Sequence, residues 1–575
     1  MFEKLNKAEQ WVFDILSLAL VLFYSYSAVL EPAATQYHRG IYVLITYVLV
    51  LLLYQSKSFL GRVLDYVLIV ASVISIVYWM ANFEVIAYRA GAETTLDKGI
   101  AIVGVLIGIE LARRVVGSVF VIIGAVMLLY GVYGEYAPEM ISHAGDTFPD
   151  LCTSIFYKSD GIFGIMANVL ATYIILFVIF GAFLEASGAQ RFFIDFPLAA
   201  VGHRIGGPAK VSVIASGLFG SISGSAIANT VSTGAFTIPM MKKAGFKPHV
   251  AGGIEPAASI GGMFMPPIMG AGGFIMAELT GEPYSTIMLV AIFPALMYFF
   301  SVYVMVHYEA KRHNIRGEKS EVKASEIFKR EWFYILPLVS ITILMLMGYS
   351  PGYSAIIGIV TCIAVSWFRK ETRIGPRQFL LASRAGAINS LKIGATVGVI
   401  GIIIGVLTYS GLVLTFADIV IELADGKLWL TILLIALASL ILGMGVPVTA
   451  AYLITAVVAV PALTELGVNP LAAHMIVYWL SQDSNITPPV CIAAFAGATI
   501  AKANMWKTAF TAFKFAKFLY LGPFIFGYVP AFSLDGSPTD IAVAFVLILI
   551  GTWGYSWLLS GIWLSWFNKK APAAR

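Results

Sequence analysis

The stretch from Pro239 to Pro267, PMMKKAGFKPHVAGGIEPAASIGGMFMPP, returns in outline from Pro461 to Pro489 as PALTELGVNPLAAHMIVYWLSQDSNITPP. In each copy a proline stands 27 residues before a Pro-Pro pair, and the copies lie 222 residues apart (461 − 239 and 488 − 266). The same offset matches Gly245 with Gly467 and Pro248 with Pro470. Both copies are apolar and interrupted by Gly and Pro. An interrupted helix inside a bilayer persists only where protein, ions or water satisfy the freed backbone groups. Paired interrupted segments in the two halves of a membrane chain therefore point to a cargo-binding site.

Composition places the chain in a bilayer. Of its 575 residues 59% are hydrophobic and only 12% charged, against about a quarter charged in soluble domains. Apolar runs of about 20 residues recur, which reads as an all-α polytopic membrane protein. The runs are continuous rather than alternating, which excludes a β-barrel. The net charge of +5 belongs to basic loops on the cytoplasmic side, not to a nucleic-acid surface. Cys152, Cys362 and Cys491 are too scattered for a disulfide framework or metal cluster. The run ending near Leu30 is too long for a signal peptide and reads as a first membrane helix. HExxH and phosphate-loop signatures are missing from the sequence, so it reads as no enzyme and as needing no cofactor beyond a coupling ion.

Loop charges set the topology. Lys4, Lys7, Lys57 and Arg62 mark the inside; Glu135, Glu139, Asp146 and Asp150, with no Lys or Arg among them, mark the outside. Arg113 and Arg114 read as a helix end at the inner surface, with Glu110 pairing Arg114 at i, i+4. The segment 190–207 suits an interfacial arm. Lys210 and Lys242 flank only 31 residues, whereas two crossings need about 40. This segment therefore reads as a re-entrant helical hairpin with its tip at 221–225. The second copy is flanked by Asp418, Glu422, Asp425 and Glu465. It reads as a hairpin opening from the outside, with its tip at 443–447. The expectation is an inverted repeat, about 14 crossings plus two re-entrant hairpins, and both termini cytoplasmic.

Each hairpin is followed by a helix broken near its middle, because proline removes a donor and clashes with the carbonyl four residues back. Freed carbonyls with Ser, Thr and Asn side chains suit a hard cation, and half-helix N-termini suit an anion. Asp483 is the costliest residue in the breaks and reads as part of an ion site or polar network. Glu255 reads as lying at the start of the first broken helix, near the cytoplasm, and as a second candidate. Glu278 marks an outer helix end. The seven histidines, His203, His249 and His474 among them, read as single, loop-adjacent and incidental.

At SGSAIANTVSTGAFTIPMMKKAGF, GGIEPAASIGGMFMPP and DSNITPPVCIAAFAGATIA the chain resembles the membrane component of TRAP (tripartite ATP-independent periplasmic) transporters. It looks most like the TAXI-type subgroup with fused small and large subunits. The resemblance implies an elevator-type transporter in the cytoplasmic (inner) membrane. Such a protein imports organic acids such as 2-oxoglutarate, glutamate or C4-dicarboxylates on a Na⁺ or H⁺ gradient. It acts as a monomeric membrane component served by a periplasmic substrate-binding protein. The implied divisions are 1–135 as small-subunit-like scaffold and linker helix, 136–310 as the first repeat, 311–378 as a cytoplasmic loop with connecting helices, and 379–575 as the second repeat.

Carried onto this chain, the family's cation sites fall on Ser223, Gly224, Ser225, Asn229, Gly261 and Gly262. In the second copy they fall on Gly443, Gly445, Pro447, Asp483, Asn485 and Thr487. Substrate contacts fall on Ser225, Asn229, Asp483, Ser484 and Asn485, and the candidate proton carriers are Glu255 and Asp483. The rival expectation is a stand-alone carboxylate symporter of the same class without a binding protein.

Overall fold

The computed structural model describes residues 2–317, 322–444 and 446–563. It is all-helical, with no β-strand among the described residues. Nine helical segments among them are long and apolar enough to cross a membrane, and shorter apolar helices such as Ser118–Val132, Pro351–Ser366 and Ile492–Ala501 accompany them. The sequence count of crossings exceeds nine because several expected spans are these shorter pieces. The first span runs Lys7–Val29, 23 residues or about 35 Å. It starts at a capping box in which Asn6 and Glu9 satisfy each other's backbone donors.

Two compact units make up the chain. One comprises Met1–Ala186, Tyr349–Gly426 and Met444–Ala462; the other comprises Ser187–Gly348, Lys427–Gly443 and Leu463–Arg575. The first unit is cross-linked by side chains that loop counting leaves unpaired. Arg384 grips Asp14 through two bonds of 2.6 Å, and Trp79 stacks on Phe163 with ring centroids 3.7 Å apart. Arg114 pairs with Glu110 at 2.7 Å, as its spacing predicts, and also with Asp65 at 2.6 Å. Its side chain is only 7% exposed whereas that of Arg113 is 57% exposed. Arg113 fits a helix end at the surface; Arg114 is a buried ion.

The second unit carries the first copy of the repeat. Helix α1 (Gly207–Ser223) and α2 (Ala226–Lys243) form a helical hairpin. α3 (Pro248–Gly261) packs on both, and α4 (Gly270–Thr280) follows across a non-helical break. In the second copy α5 (Leu428–Gly443) leads through 444–447 to α6 (Val448–Glu465). α7 (Pro470–Ser481) and, after the second break, α8 (Ile492–Ala501) complete it. The 222-residue offset relates the first residues of α2 and α6, of α3 and α7, and of α4 and α8. It also relates two details of the backbone. Pro266-Pro267 and Pro488-Pro489 are both cis, and Met269 and Cys491 both adopt the left-handed conformation, with φ of 58° and 48°.

Candidate functional site

The hairpin α1–α2 turns on Gly224, whose φ of 64° is open to glycine without a Cβ clash. Ser225 then caps α2, its hydroxyl accepting from the Ala228 amide at 3.3 Å. Ser223 makes long contacts, 3.5 Å to the Gly220 carbonyl and 3.4 Å to the Ser225 carbonyl. One turn into α2, Asn229 is fully buried. Its Nδ2 donates to the Ser216 carbonyl at 3.0 Å, while its Oδ1 has no partner among the described residues. Thr230 and Ser259 likewise bury hydroxyls without a protein partner.

Gly261 and Gly262 are packing positions in this structure. A Cβ on Gly262 would strike the backbone of Gly220, and one on Gly261 would meet the rings of Tyr298 and Phe299. Their carbonyls accept from Phe264 and Met265 amides at 3.1 and 3.3 Å. Freed carbonyls lie further along the break, and phenols serve them. Tyr478 reaches the Met263 and Met269 carbonyls at 2.8 and 2.6 Å. Tyr284 reaches those of Pro267 and Ile268 at 2.9 and 2.5 Å. Phenols from other helices thus serve the freed carbonyls of the first break.

Glu255 departs furthest from expectation. It lies in the middle of α3, not at a helix end, and is fully buried. Four hydroxyls donate to its carboxylate: Ser212 and Thr237 to Oε2, Ser216 and Thr233 to Oε1. Ser212 and Ser216 lie on α1, Thr233 and Thr237 on α2, so both arms of the hairpin hold one carboxylate on the broken helix. Sequence reasoning missed these four residues. Their signal was available: each pair is spaced i, i+4, one face of a helix.

In the second break, Asp483–Asn485 forms a short 3-10 turn with all three residues buried. Asp483 is 3% exposed, and its Oδ1 has no partner among the described residues, as is also true of Gln482 Nε2. The Asp483 carbonyl accepts from the Thr487 amide at 2.8 Å. Asn485 Nδ2 donates weakly to the Gln482 carbonyl at 3.3 Å. Thr487 Oγ1 and Tyr520 OH lie 2.6 Å apart. Gly443, last residue of α5, abuts Ser484 closely enough that a Cβ would collide with it. Two clusters result, one around Asn229 and Glu255, the other around Asp483, Ser484 and Gly443. Gly445 lies outside the described residues, and Pro447 belongs to the first unit. His474, expected at a loop, is 6% exposed within α7. No group of three His, Cys, Asp or Glu that would hold a metal ion occurs among the described residues.

A repeated order of helices ending in a broken helix, in a chain of long apolar helices, is that of a polytopic membrane protein. The chain belongs to the family described as "Tripartite ATP-independent periplasmic transporter, DctM component", whose model matches residues 103–532. It is 26% identical over 320 residues to a putative TRAP transporter large permease protein of Haemophilus influenzae, covering 55% of this chain and 74% of that protein. It is 25% identical over 364 residues to the C4-dicarboxylate TRAP transporter large permease protein DctM of Pseudomonas aeruginosa, covering 62% and 84%. The solved structure of the YdaH transporter of Alcanivorax borkumensis matches 73% of this chain and 98% of its own at 18% identity, with a TM-score of 0.48.

Proposed function

We propose that this chain is the inner-membrane component of an importer of small organic acids, driven by a Na⁺ or H⁺ gradient and fed by a periplasmic binding protein. The observation that carries the reading is a buried oxygen without a partner among the described residues in each copy, Asn229 Oδ1 beside the first tip and Asp483 Oδ1 in the second break. An unpaired buried polar atom costs about 1–3 kcal/mol. A cation or a polar substrate group would offset that cost. The relatives support the cargo class: one is named for C4-dicarboxylates, and a partial match of 27% identity over 198 residues is the sialic acid TRAP transporter permease protein SiaT of Haemophilus influenzae. Both cargoes are carboxylates.

In this reading the α1–α2 pair is a re-entrant hairpin. Its arms of 17 and 18 residues reach about 25–27 Å, short of the ~30 Å hydrocarbon core. The lysines around the first copy and the acids around the second support opposite orientations, hence alternating access by movement of the hairpin-bearing helices. The family match begins at residue 103. The spans Lys7–Val29, Thr35–Leu53 and Phe59–Ala81 precede it and would be the fused small subunit of a TAXI-type system. The test is uptake of labelled 2-oxoglutarate, glutamate and succinate by proteoliposomes under separate Na⁺ and H⁺ gradients. Uptake is expected only with the cognate binding protein added. Robust uptake by the purified chain alone would favour the stand-alone symporter, and no uptake of any acid under either gradient would remove the reading.

A further inference from the structure

We propose that Glu255 and its four hydroxyls are a proton-exchange site whose two hydrogen-bond arrangements are wired to Asn229. The proposal deepens the reading of an ion-coupled importer and rests on it for its purpose, but not for its test. In one arrangement the carboxylate accepts from Ser212, Ser216, Thr233 and Thr237. Each hydroxyl has a single proton to give. For both threonines a second acceptor is in reach on their own helix: Thr233 Oγ1 lies 2.7 Å from the Asn229 carbonyl and Thr237 Oγ1 lies 3.1 Å from the Thr233 carbonyl.

A proton added to Glu255 makes a new O–H that must donate. Thr237 or Thr233 can accept it while turning its own proton to the carbonyl four residues back. Both protonation states then leave every proton of the cage with an acceptor.

The network does not end at the carboxylate. Ser216 Oγ lies 3.1 Å from Thr233 Oγ1, and the Ser216 carbonyl holds Asn229 Nδ2. When Thr233 turns, it loads the Asn229 carbonyl one turn from the tip. The residue whose Oδ1 is unpartnered is thereby tied to the protonation of Glu255.

No competing charge occupies the cage, since Glu255 forms no ion pair among the described residues. The helices packed on α3 are α1, α2, α8, Met505–Phe515 and Tyr284–Arg312. On α1, Lys210 turns to His307 at 3.2 Å and to the Tyr303 ring. On α2, Lys242 donates to the Ala501 carbonyl, and Lys243 sits beside it in the last turn. α8 carries no charged residue, and Met505–Phe515 carries Lys507 and Lys514. On Tyr284–Arg312, Tyr298 donates to the Ala257 carbonyl; Tyr284 is committed to the break. Tyr308, Glu309, Lys311 and Arg312 lie in that helix's last turns. On α3 itself the other titratable residue is His249, in the first turn.

The test titrates the purified full-length chain in detergent, with the proton itself as probe, by infrared difference spectroscopy. A protonated-carboxyl C=O band should grow as pH falls and be missing in Glu255→Gln. Thr237→Val should shift that band, because one hydroxyl partner is gone, and it decides the matter should Glu255→Gln fail to fold. Hydrogen exchange of peptides covering 223–233, corrected for its intrinsic pH dependence, should change with pH in the wild type and not in Glu255→Gln. Identical difference spectra for wild type and Glu255→Gln, or an unmoved band in Thr237→Val, would overturn the proposal. Neither readout involves transport, so a silent Glu255 and an inactive importer give separate results.

Discussion

Replacing Tyr478 with Phe removes one oxygen and little else. The ring keeps its edge-to-face packing on Phe264, with centroids 5.8 Å apart, and Tyr478 is 1% exposed, so no new surface is wetted. What is lost is the donor that reaches the Met263 and Met269 carbonyls. A phenol has one proton, so the loss is one hydrogen bond at a time. Leaving a buried carbonyl unserved costs about 1–3 kcal/mol. At 1.4 kcal/mol per factor of ten, that makes local opening of the break roughly 5- to 150-fold more frequent. Hydrogen exchange read on peptides across 263–270 in the full-length protein reports this opening directly. Tyr284→Phe should do the same through the Pro267 and Ile268 carbonyls. Because both act on one short segment, the double variant should depart from additivity. Unchanged exchange across 263–270 in Tyr478→Phe would refute the claim that phenols hold the break.

Three further outcomes are expected. Single cysteines in place of Lys243 and Glu465, exposed residues 222 positions apart, in a chain cleared of Cys152, Cys362 and Cys491, should be labelled by an impermeant reagent from opposite faces; labelling from one face would end the inverted-repeat reading. Asp483→Asn keeps size and removes charge, so proteoliposome uptake should lose its Na⁺ dependence, or its pH dependence if H⁺ couples, at normal protein yield; wild-type dependence on both would take Asp483 out of the coupling site. Arg114→Met takes the cation from Asp65 and leaves it the Ser56 amide and hydroxyl. Breaking a buried pair costs about 3–5 kcal/mol, and those two donors hold the loss to the lower end, whereas the paired change Arg114→Met with Asp65→Asn, which keeps an acceptor for Ser56, should recover much of the lost thermal stability; equal losses in the single and double variants would count against the pair.

What could be read from the sequence followed from how local each signal is. Proline, glycine and apolar run length act within a few residues, so the repeat, the two breaks and the turn at Gly224 were legible. The i, i+4 rule found Glu110 beside Arg114, but Asp65 comes from another helix and carries no local signature. Glu255 reads from the sequence as an acid at the start of the broken helix near the cytoplasm, whereas it lies in mid-helix and fully buried. Pro256 beside it also lies inside α3. The cage of hydroxyls and the phenols at the first break arise from helices distant in sequence. Tyr478 lies 215 residues from Met263, and no periodicity connects them.

The loan of that phenol has a direction. The position 222 residues before Tyr478 is Pro256, which has no hydroxyl to lend, so the second copy steadies the first without being repaid in kind. Tyr478 also sits only five positions before Asp483 on the same stretch of chain. A shift of α7 therefore moves the donor on which the Met263 and Met269 carbonyls draw. Were both breaks occupied, as the proposed function has it, thermodynamic reciprocity would make the coupling equal in both directions. Two halves drawn on one pattern thus behave as lender and borrower, and a movement of α7 is felt at the first break through a single tyrosine.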